Sequence, residues 1–337
     1  MGDVAMLVPV LYSVLKQNPR LNITLISRPL FAPLFLFSKR LTFIGVELDK
    51  KHKGLFGLKK LANDLVKNNE FDALIDVHDV LRTQVLRAFF KLKGIKTLVF
   101  DKGRKEKKKL VKGDFFKPLP HTTQRYLEPF SKLGLKTELL NEPFLSLKTS
   151  KKITKILSTL GLSKTDEIIG VAPFAKHNSK EWGIDNIENT IANISKNYNT
   201  KILLFGASGK EAKLLEKISK KHSNCLSVAG KISFEEELVL IAHLKVMLSM
   251  DSANMHLAVA CSTPVVSLWG PTHHYTGFGP LYNEDNIVEI SRDKLPCRPC
   301  SIYGKLDDKK AEKCAKKSME MITVDMVLHK LKPFLVK

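Results

Sequence analysis

Residues Met250 to Thr272 read MDSANMHLAVACSTPVVSLWGPT, and this stretch decides the fold. Val246 to Met250 is an apolar strand, and the polar pair Asp251 and Ser252 follows it. A small-residue helix is expected from about Ala253 to Cys261, and Pro264 to Leu268 is a β-branched run ending in Trp-Gly-Pro. The polar pair therefore falls where a strand ends and a helix begins. Ligands of open α/β sheets collect at that edge, and a helix N-terminus offers an anion unpaired N–H groups and about half a positive charge. Asp251 and Ser252 would also serve as a plain helix cap. The neighbours favour binding: His256 sits one turn in, Ala253, Ala258 and Ala260 leave room for close approach, and Trp269 to Thr272 ends the next strand beside the same edge. The arrangement suits a nucleotide diphosphate.

Outward from this stretch the same alternation continues. Strands are expected at Ile168 to Pro173, Lys201 to Phe205, Cys225 to Val228 and Ile287 to Ile290, with helices near Asn186 to Tyr198, Lys210 to His222 and Phe234 to Leu244. The first half carries strands at Ile23 to Ser27, Leu41 to Val46, Phe71 to Val77 and Lys96 to Phe100, separated by helical stretches such as Leu58 to Asn68 and Arg82 to Lys93. Such an order implies parallel sheets in an α/β fold with two Rossmann-like domains, residues 1–145 and 153–322. The link falls around Asn141 to Lys152, and a closing helix with a Thr323 cap occupies residues 323–337. Periodicity by itself equally permits a dehydrogenase or another two-domain α/β protein.

Length agrees, since 337 residues are natural for two domains of about 150 each. Lys and Arg outnumber Asp and Glu by 55 to 34, and the resulting +21 favours an anionic partner: a membrane surface, a phosphorylated glycolipid or nucleic acid. The longest apolar stretches, such as Pro29 to Phe37, fall far short of the ~20 residues that span a bilayer. Val4 to Leu15 is apolar enough to mimic a signal-peptide core, but Asp3 precedes it where basic residues belong. Five cysteines, an odd count, argue against a disulfide framework and for a cytosolic location. Cys297, Cys300 and Cys314 have the look of a zinc site one ligand short of closure, so no metal is expected.

The chain resembles the family 9 glycosyltransferases, the bacterial heptosyltransferases of lipopolysaccharide inner-core synthesis. The residues that carry the resemblance are Asp251-Ser252-Ala253-Asn254-Met255-His256, then Pro264, then Leu268-Trp269-Gly270-Pro271-Thr272. Ala253 departs from the family pattern, which has Gly there. At the other end, Met1-Gly2-Asp3 resembles the family's first motif, in which Gly-Asp closes the loop after strand one. That apolar strand is not in the sequence, so either the start lies at an internal methionine or the first strand of the N-terminal sheet is absent.

The resemblance implies a GT-B-like fold, two Rossmann-like domains with parallel sheets facing across a cleft, the first binding acceptor and the second the nucleotide sugar. It implies an inverting transfer of heptose or a related sugar from an ADP-sugar, with no other cofactor, onto the lipopolysaccharide core. Asp3 matches the general base that takes the acceptor hydroxyl's proton, though a Gly-Asp pair is also an ordinary helix cap. Lys180, in Lys180-Glu181-Trp182, matches a lysine that meets the donor diphosphate. Glu211 matches a carboxylate that holds the ribose hydroxyls, and it also suits the first turn of a helix for purely dipolar reasons. The Leu203 to Glu211 segment fits neither a dinucleotide-binding nor a P-loop spacing. With Lys180 and the helix opening at Ser252 facing the leaving group, no divalent ion is required.

Lys102 to Lys112, KGRKEKKKLVK, reads first as a solvated loop and second as an acceptor-side patch for an anionic glycolipid and the cytoplasmic membrane face. Lys102, Arg104 and Arg82 are its acceptor-binding candidates, with His78, His121 and Arg125 beside them. Two alternatives stand: a truncated or inactive relative, and a basic nucleic-acid-binding protein, for which no recognition motif is found.

Overall fold

A computed structural model describes residues 1–145, 147 and 152–336 of the chain. Residues 146 and 148–151, within the expected link, lie outside the described residues. The chain forms two compact units, one of Met1–Ala5, Lys105–His121 and Asn141–Lys337, the other of Met6–Arg104 and Thr122–Leu140.

The chain opens with helix α1 (Gly2–Gln17), whose residues Ala5 to Leu11, with Val14 and Leu15, are buried almost without a break. The smaller unit continues with β1 (Ile23–Ser27), β2 (Leu41–Gly45), α2 (Gly54–Asn68), β3 (Ala73–Asp76), α3 (Leu81–Leu92) and β4 (Lys96–Val99). After α4 (Arg104–Lys112), which runs into the larger unit, α5 (Thr122–Ser131) returns to the smaller one. All the strand pairing here is parallel. β1 pairs with β2 and β3 with β4, and among the described residues no ladder joins β1 to β3. The five residues of β1 are only half-buried.

The larger unit is built on one six-stranded parallel sheet. Its elements are α6 (Lys152–Thr159), β5 (Ile168–Ala172), α7 (Ile184–Asn197), β6 (Lys201–Leu204), α8 (Lys210–Ser219), β7 (Cys225–Ser227), α9 (Phe234–His243), β8 (Met247–Met250), α10 (Ala253–Ala260), β9 (Val265–Trp269), β10 (Ile287–Glu289), α11 (Lys309–Glu320) and α12 (Val324–Leu331). The strand order is β10-β9-β8-β5-β6-β7, so the chain starts in the middle, winds outward, then returns to the other side. Every residue of β5, β8 and β9 is buried, because helices cover both faces of a parallel sheet. Ile187, Ile191 and Ile194 of α7 and Val327 and Leu331 of α12 pack into the same core as Val171, Leu248 and Leu268. Ser233 and Glu236 close a reciprocal capping box at the start of α9.

Two expectations are corrected. The basic run at Lys102 to Lys112 is a helix from Arg104 onward rather than a solvated loop. Leu110 is buried on its inner side, and Lys107 is only 3% exposed with its ammonium 4.0 Å from the Phe278 ring centroid. A cation over an aromatic face holds its charge with little water, which is why this lysine can be buried. Second, the cysteines are not all free: Cys297 and Cys314 form a disulfide, because α11 brings Cys314 back against the loop that carries Cys297. Cys225, Cys261 and Cys300 remain thiols. Among the described residues no helix is long and apolar enough to cross a membrane.

Candidate functional site

In the larger unit, the C-terminal ends of β5, β8 and β9 bring Lys180, Asp251 and Thr272 together. A short turn at Asn178–Lys180 follows β5 and delivers Lys180, whose residue is only 8% exposed, as is Asp251. Lys180 Nζ donates to Asp251 Oδ2 at 3.2 Å, and Thr272 Oγ1 donates to the same oxygen at 2.7 Å. A buried ion pair of this kind is weak evidence for stability, since desolvation offsets the attraction. It is stronger evidence for a site that keeps a compact cation available to an anion.

Ser252 is the residue before α10, yet its side chain makes no capping hydrogen bond and is shared instead with Ser249 Oγ at 3.1 Å. Neither member of the Asp-Ser pair therefore spends its side chain on the helix's first amides, as the plain capping role would require. His256 lies one turn further on and is buried. Burial, helped by the positive fields of His121, Lys180 and the chain's amino terminus, pushes its imidazole down to about 3, so it is neutral near pH 7. Its neighbour on one side is Gly2, where a Cβ would lie 3.1 Å from His256 Cδ2 and 3.9 Å from the Ala253 Cα. Asp3, the next residue of the chain, is exposed.

Glu211 folds back on its own turn: Oε2 accepts from the Ala207 amide at 2.7 Å. Glu181 sits close enough to feel its charge. Burial first, then the Glu211 carboxylate, raises the Glu181 carboxyl above its ordinary value, and Ala175 N–H donates to Glu181 Oε1 at 3.2 Å.

Behind these residues stands Arg298, whose side chain is 1% exposed. It donates to the carbonyls of Gly270 at 2.5 Å, Trp269 at 2.9 Å and Thr272 at 3.0 Å, to the Ile290 carbonyl as well, and pairs with Glu289 at 3.1 Å. The planar fork of an arginine suits this task because its donors can serve several carbonyls at once. Lys180 is held from a second direction. Ser179 Oγ donates to the Gly304 carbonyl at 2.5 Å, and a Cβ on Gly304, where φ is +96°, would lie 2.9 Å from the Lys180 side-chain carbons.

His273, His274 and Glu289 are grouped closely enough to hold a metal ion. Their hydrogen bonds argue for a different use. Tyr275 N–H donates to His273 Nδ1 at 3.1 Å, which leaves the ring's proton on Nε2, facing Glu289 Oε2 at 3.3 Å, and Arg298 already occupies the same carboxylate. The group is an ion-pair network that draws the Glu289 carboxyl below its usual range despite burial.

The acceptor-side candidates Lys102, Arg104 and Arg82 belong to the smaller unit. Lys102 Nζ donates to the Asp79 carbonyl at 2.8 Å, and the hydrogen bond from Gln84, aided by the charges of Lys102, Arg87 and Arg104, keeps the Asp79 carboxyl below its ordinary value. Arg82 is exposed on the first turn of α3, and His78 N–H donates to Asp76 Oδ1 at 2.9 Å. Arg125 is buried and lies 3.6 Å from Asp101, with its guanidinium directly under Gly103. His121 belongs to the larger unit, where its ring meets the Gly279 carbonyl at 2.9 Å.

Lys180, Asp251, Ser252 and His256 are legible in the sequence, whereas the contacts of Thr272, Glu181 and Arg298 are not. Thr272 could have been found, since it closes the quoted motif. Arg298 lies between Cys297 and Cys300, and no local pattern announces its carbonyl contacts.

A parallel six-stranded sheet with a lysine, a carboxylate and a helix start left uncapped by side chains at its C-terminal edge defines an enzyme of the nucleotide-binding α/β class. The family model for glycosyltransferase family 9 (heptosyltransferase) matches residues 59–307, and the chain belongs to that family. It is a glycosyltransferase of GT-B-like fold. The lipopolysaccharide core heptosyltransferase OpsX of Haemophilus influenzae is 25% identical over 299 residues, covering 86% of this chain and 81% of the relative. Two solved structures share the fold. A family 9 glycosyltransferase from Veillonella parvula has a TM-score of 0.73 at 16% identity over 99% of this chain and 94% of its own. The heptosyltransferase WaaC of E. coli with ADP has a TM-score of 0.68 at 15% identity over 99% and 96%.

Proposed function

We propose that the chain is an inverting glycosyltransferase that moves a heptose or closely related sugar from an ADP-activated donor to an anionic glycolipid, the lipopolysaccharide inner core, at the cytoplasmic face of the membrane. The observation that carries this reading is the Lys180–Asp251–Thr272 constellation beside the start of α10, whose first amides Ser252 leaves uncapped. In this reading residues 153–322 bind the donor, with residues 323–337 closing them, and residues 1–145 bind the acceptor.

The donor's diphosphate competes with Asp251 for the Lys180 ammonium. A compact cation beside the α10 amides then neutralises the charge that grows on the leaving oxygen. The small side chain of Ala253 permits that approach, and neutral His256 offers a hydrogen bond without adding charge. Glu211 holds the ribose hydroxyls. Asp3 accepts the acceptor's proton as its oxygen attacks the anomeric carbon, a contribution of ~10²–10⁴-fold for a well-placed base. One base and one leaving-group clamp give direct displacement with inversion. These groups supply the positive charge at the leaving group, so no cofactor beyond the ADP-sugar is invoked. Lys102, Arg104 and Arg82 offer charge to the phosphates of the acceptor. The likeness to OpsX, a lipopolysaccharide core heptosyltransferase, and to the heptosyltransferase WaaC, whose structure was solved with ADP, supports the choice of sugar, acceptor and nucleotide.

The test is thermal stabilisation by ADP, UDP, GDP and their sugar conjugates, followed by donor titration of Lys180→Ala. ADP and ADP-heptose should stabilise most, and the variant should bind ADP at least tenfold more weakly, about 1.4 kcal/mol. Equal stabilisation by all three nucleotides, or an unchanged ADP titration in the variant, refutes the reading.

A further inference from the structure

The smaller unit presents an apolar tip that its core does not use. Helix α2 buries Leu58, Leu61, Ala62 and Leu65, positions spaced to form one inward stripe. The two residues before that stripe, Leu55 and Phe56, point elsewhere: they are 64% and 90% exposed. Single exposed apolar residues are ordinary, but two large ones adjacent on one helical turn form a local patch.

The surroundings of the tip are basic. Lys50, Lys51 and Lys53 are exposed on the loop before α2, and Lys59 and Lys60 are exposed one turn into it. Helical spacing sets Lys59 and Lys60 on the face of Phe56, three and four residues on, and Lys67 continues that face. The nearest acids along the chain are Glu47, Asp49 and Asp64, so the local balance is positive. The start of α2 adds its own positive dipole end to the same place.

This arrangement is held in shape. His52 is buried, its Nδ1 accepts from the Glu47 amide at 3.1 Å, and its own amide donates to the Glu47 carbonyl at 3.0 Å. A Cβ on Gly57 would meet the His52 backbone at 2.5 Å, so the lysine loop lies directly on the first turn of α2. Leu55 and Phe56 therefore sit, exposed and lysine-flanked, on a helix start braced by that loop.

We infer that the Leu55–Phe56 tip of α2, with Lys50, Lys51, Lys53, Lys59 and Lys60 around it, docks the enzyme on an anionic lipid bilayer. The apolar pair enters the boundary between headgroups and acyl chains, and the lysines meet anionic headgroups, each lysine near the surface strengthening binding about fivefold. The inference rests on the reading of a membrane-borne glycolipid acceptor and names the surface that reaches the membrane.

The test is sedimentation of the full chain with vesicles of phosphatidylethanolamine and phosphatidylglycerol that contain no lipopolysaccharide. The native chain should bind these vesicles, lose binding in high salt, and bind pure phosphatidylcholine weakly. Replacing the tip with Leu55→Ser and Phe56→Ser should weaken binding at least tenfold, as removal of one or two inserted apolar side chains requires. Both residues are exposed, so the unfolding midpoint should not move. A Phe56→Trp reporter should show blue-shifted emission with the same vesicles, distinct from the buried Trp182 and Trp269. No vesicle binding by the native chain, full binding by the double variant, or an unshifted reporter overturns the proposal. Transfer to a deacylated, soluble acceptor separates the two readings. The double variant should retain it, and its loss there would mean that the tip recognises acceptor rather than membrane. Absence of transfer in the native chain would count against the enzymatic reading and leave the vesicle result to decide docking.

Discussion

Replacing Arg298 by methionine keeps most of the side chain's length and removes its charge and every donor. Four backbone carbonyls then lose a partner, those of Trp269, Gly270, Thr272 and Ile290, and Glu289 loses its cation. Breaking a buried ion pair from one side costs about 3–5 kcal/mol, because the remaining charge stays out of water. Each abandoned carbonyl adds up to about 1–3 kcal/mol, but these groups relax together and the losses do not sum. A total near 5 kcal/mol is expected, a large share of a domain's usual stability. Equilibrium unfolding in urea, followed by fluorescence of the buried tryptophans, measures it. Adding Glu289→Gln to Arg298→Met should recover part of the loss, since the orphaned charge is then gone. A single variant within 1 kcal/mol of the native chain would refute the reasoning, as would a double variant no more stable than the single. An Arg298→Lys chain keeps a charge for Glu289 but lacks the fork. It should fold better than the methionine variant and still bind ADP more weakly, because Thr272 and, through it, Asp251 lose their fixed positions.

Three further outcomes are expected. Asp3→Asn should leave ADP binding within a factor of two or so while lowering transfer by about 10²–10⁴-fold, and unaltered turnover would remove Asp3 from the base role. Burial raises the Glu237 carboxyl to about 7, so native stability falls as pH rises from the ordinary carboxyl range through that value; Glu237→Gln should be more stable than the native chain at pH 8, by at most about 3 kcal/mol, and no different at pH 4. An identical pH dependence of the unfolding midpoint in the two proteins would show that Glu237 is not held neutral. Opening the Cys297–Cys314 bridge, by reductant or by Cys314→Ser, should cost about 3 kcal/mol for a loop of its length, and a midpoint indifferent to reductant would mean the loop is restrained by its other contacts.

The sheet of the larger unit was legible because its strands are buried on both faces, and buried parallel strands are written as unbroken apolar runs. Ile168 to Ala172 and Val265 to Trp269 fall within a residue of expectation for that reason. The Asp251–Ser252 junction was legible as a strand–helix boundary, and Lys180 only through the family pattern. What the sequence concealed depends on partners distant in the chain. Nothing within Lys102 to Lys112 says that Lys107 lies over Phe278, and without that contact the run reads as solvated charge. The partner of Cys297 is set by where α11 lands, which spacing does not determine. Arg298 acts on carbonyls some 26 to 29 residues earlier, and backbone acceptors leave no trace in side-chain chemistry.

Gly304 forms one wall of the slot in which the Lys180 stem lies, so the ammonium is confined before any nucleotide arrives. A freely rotating lysine forfeits on the order of 2 kcal/mol of rotamer freedom when it clasps an anion, and here much of that forfeit has already occurred during folding. In its proposed role at the donor diphosphate, such a lysine then incurs a smaller entropic penalty than a surface lysine would, and binds more tightly for the same contacts. A methyl group at position 304 would jam the slot and swing the charge aside without touching the nucleotide at all.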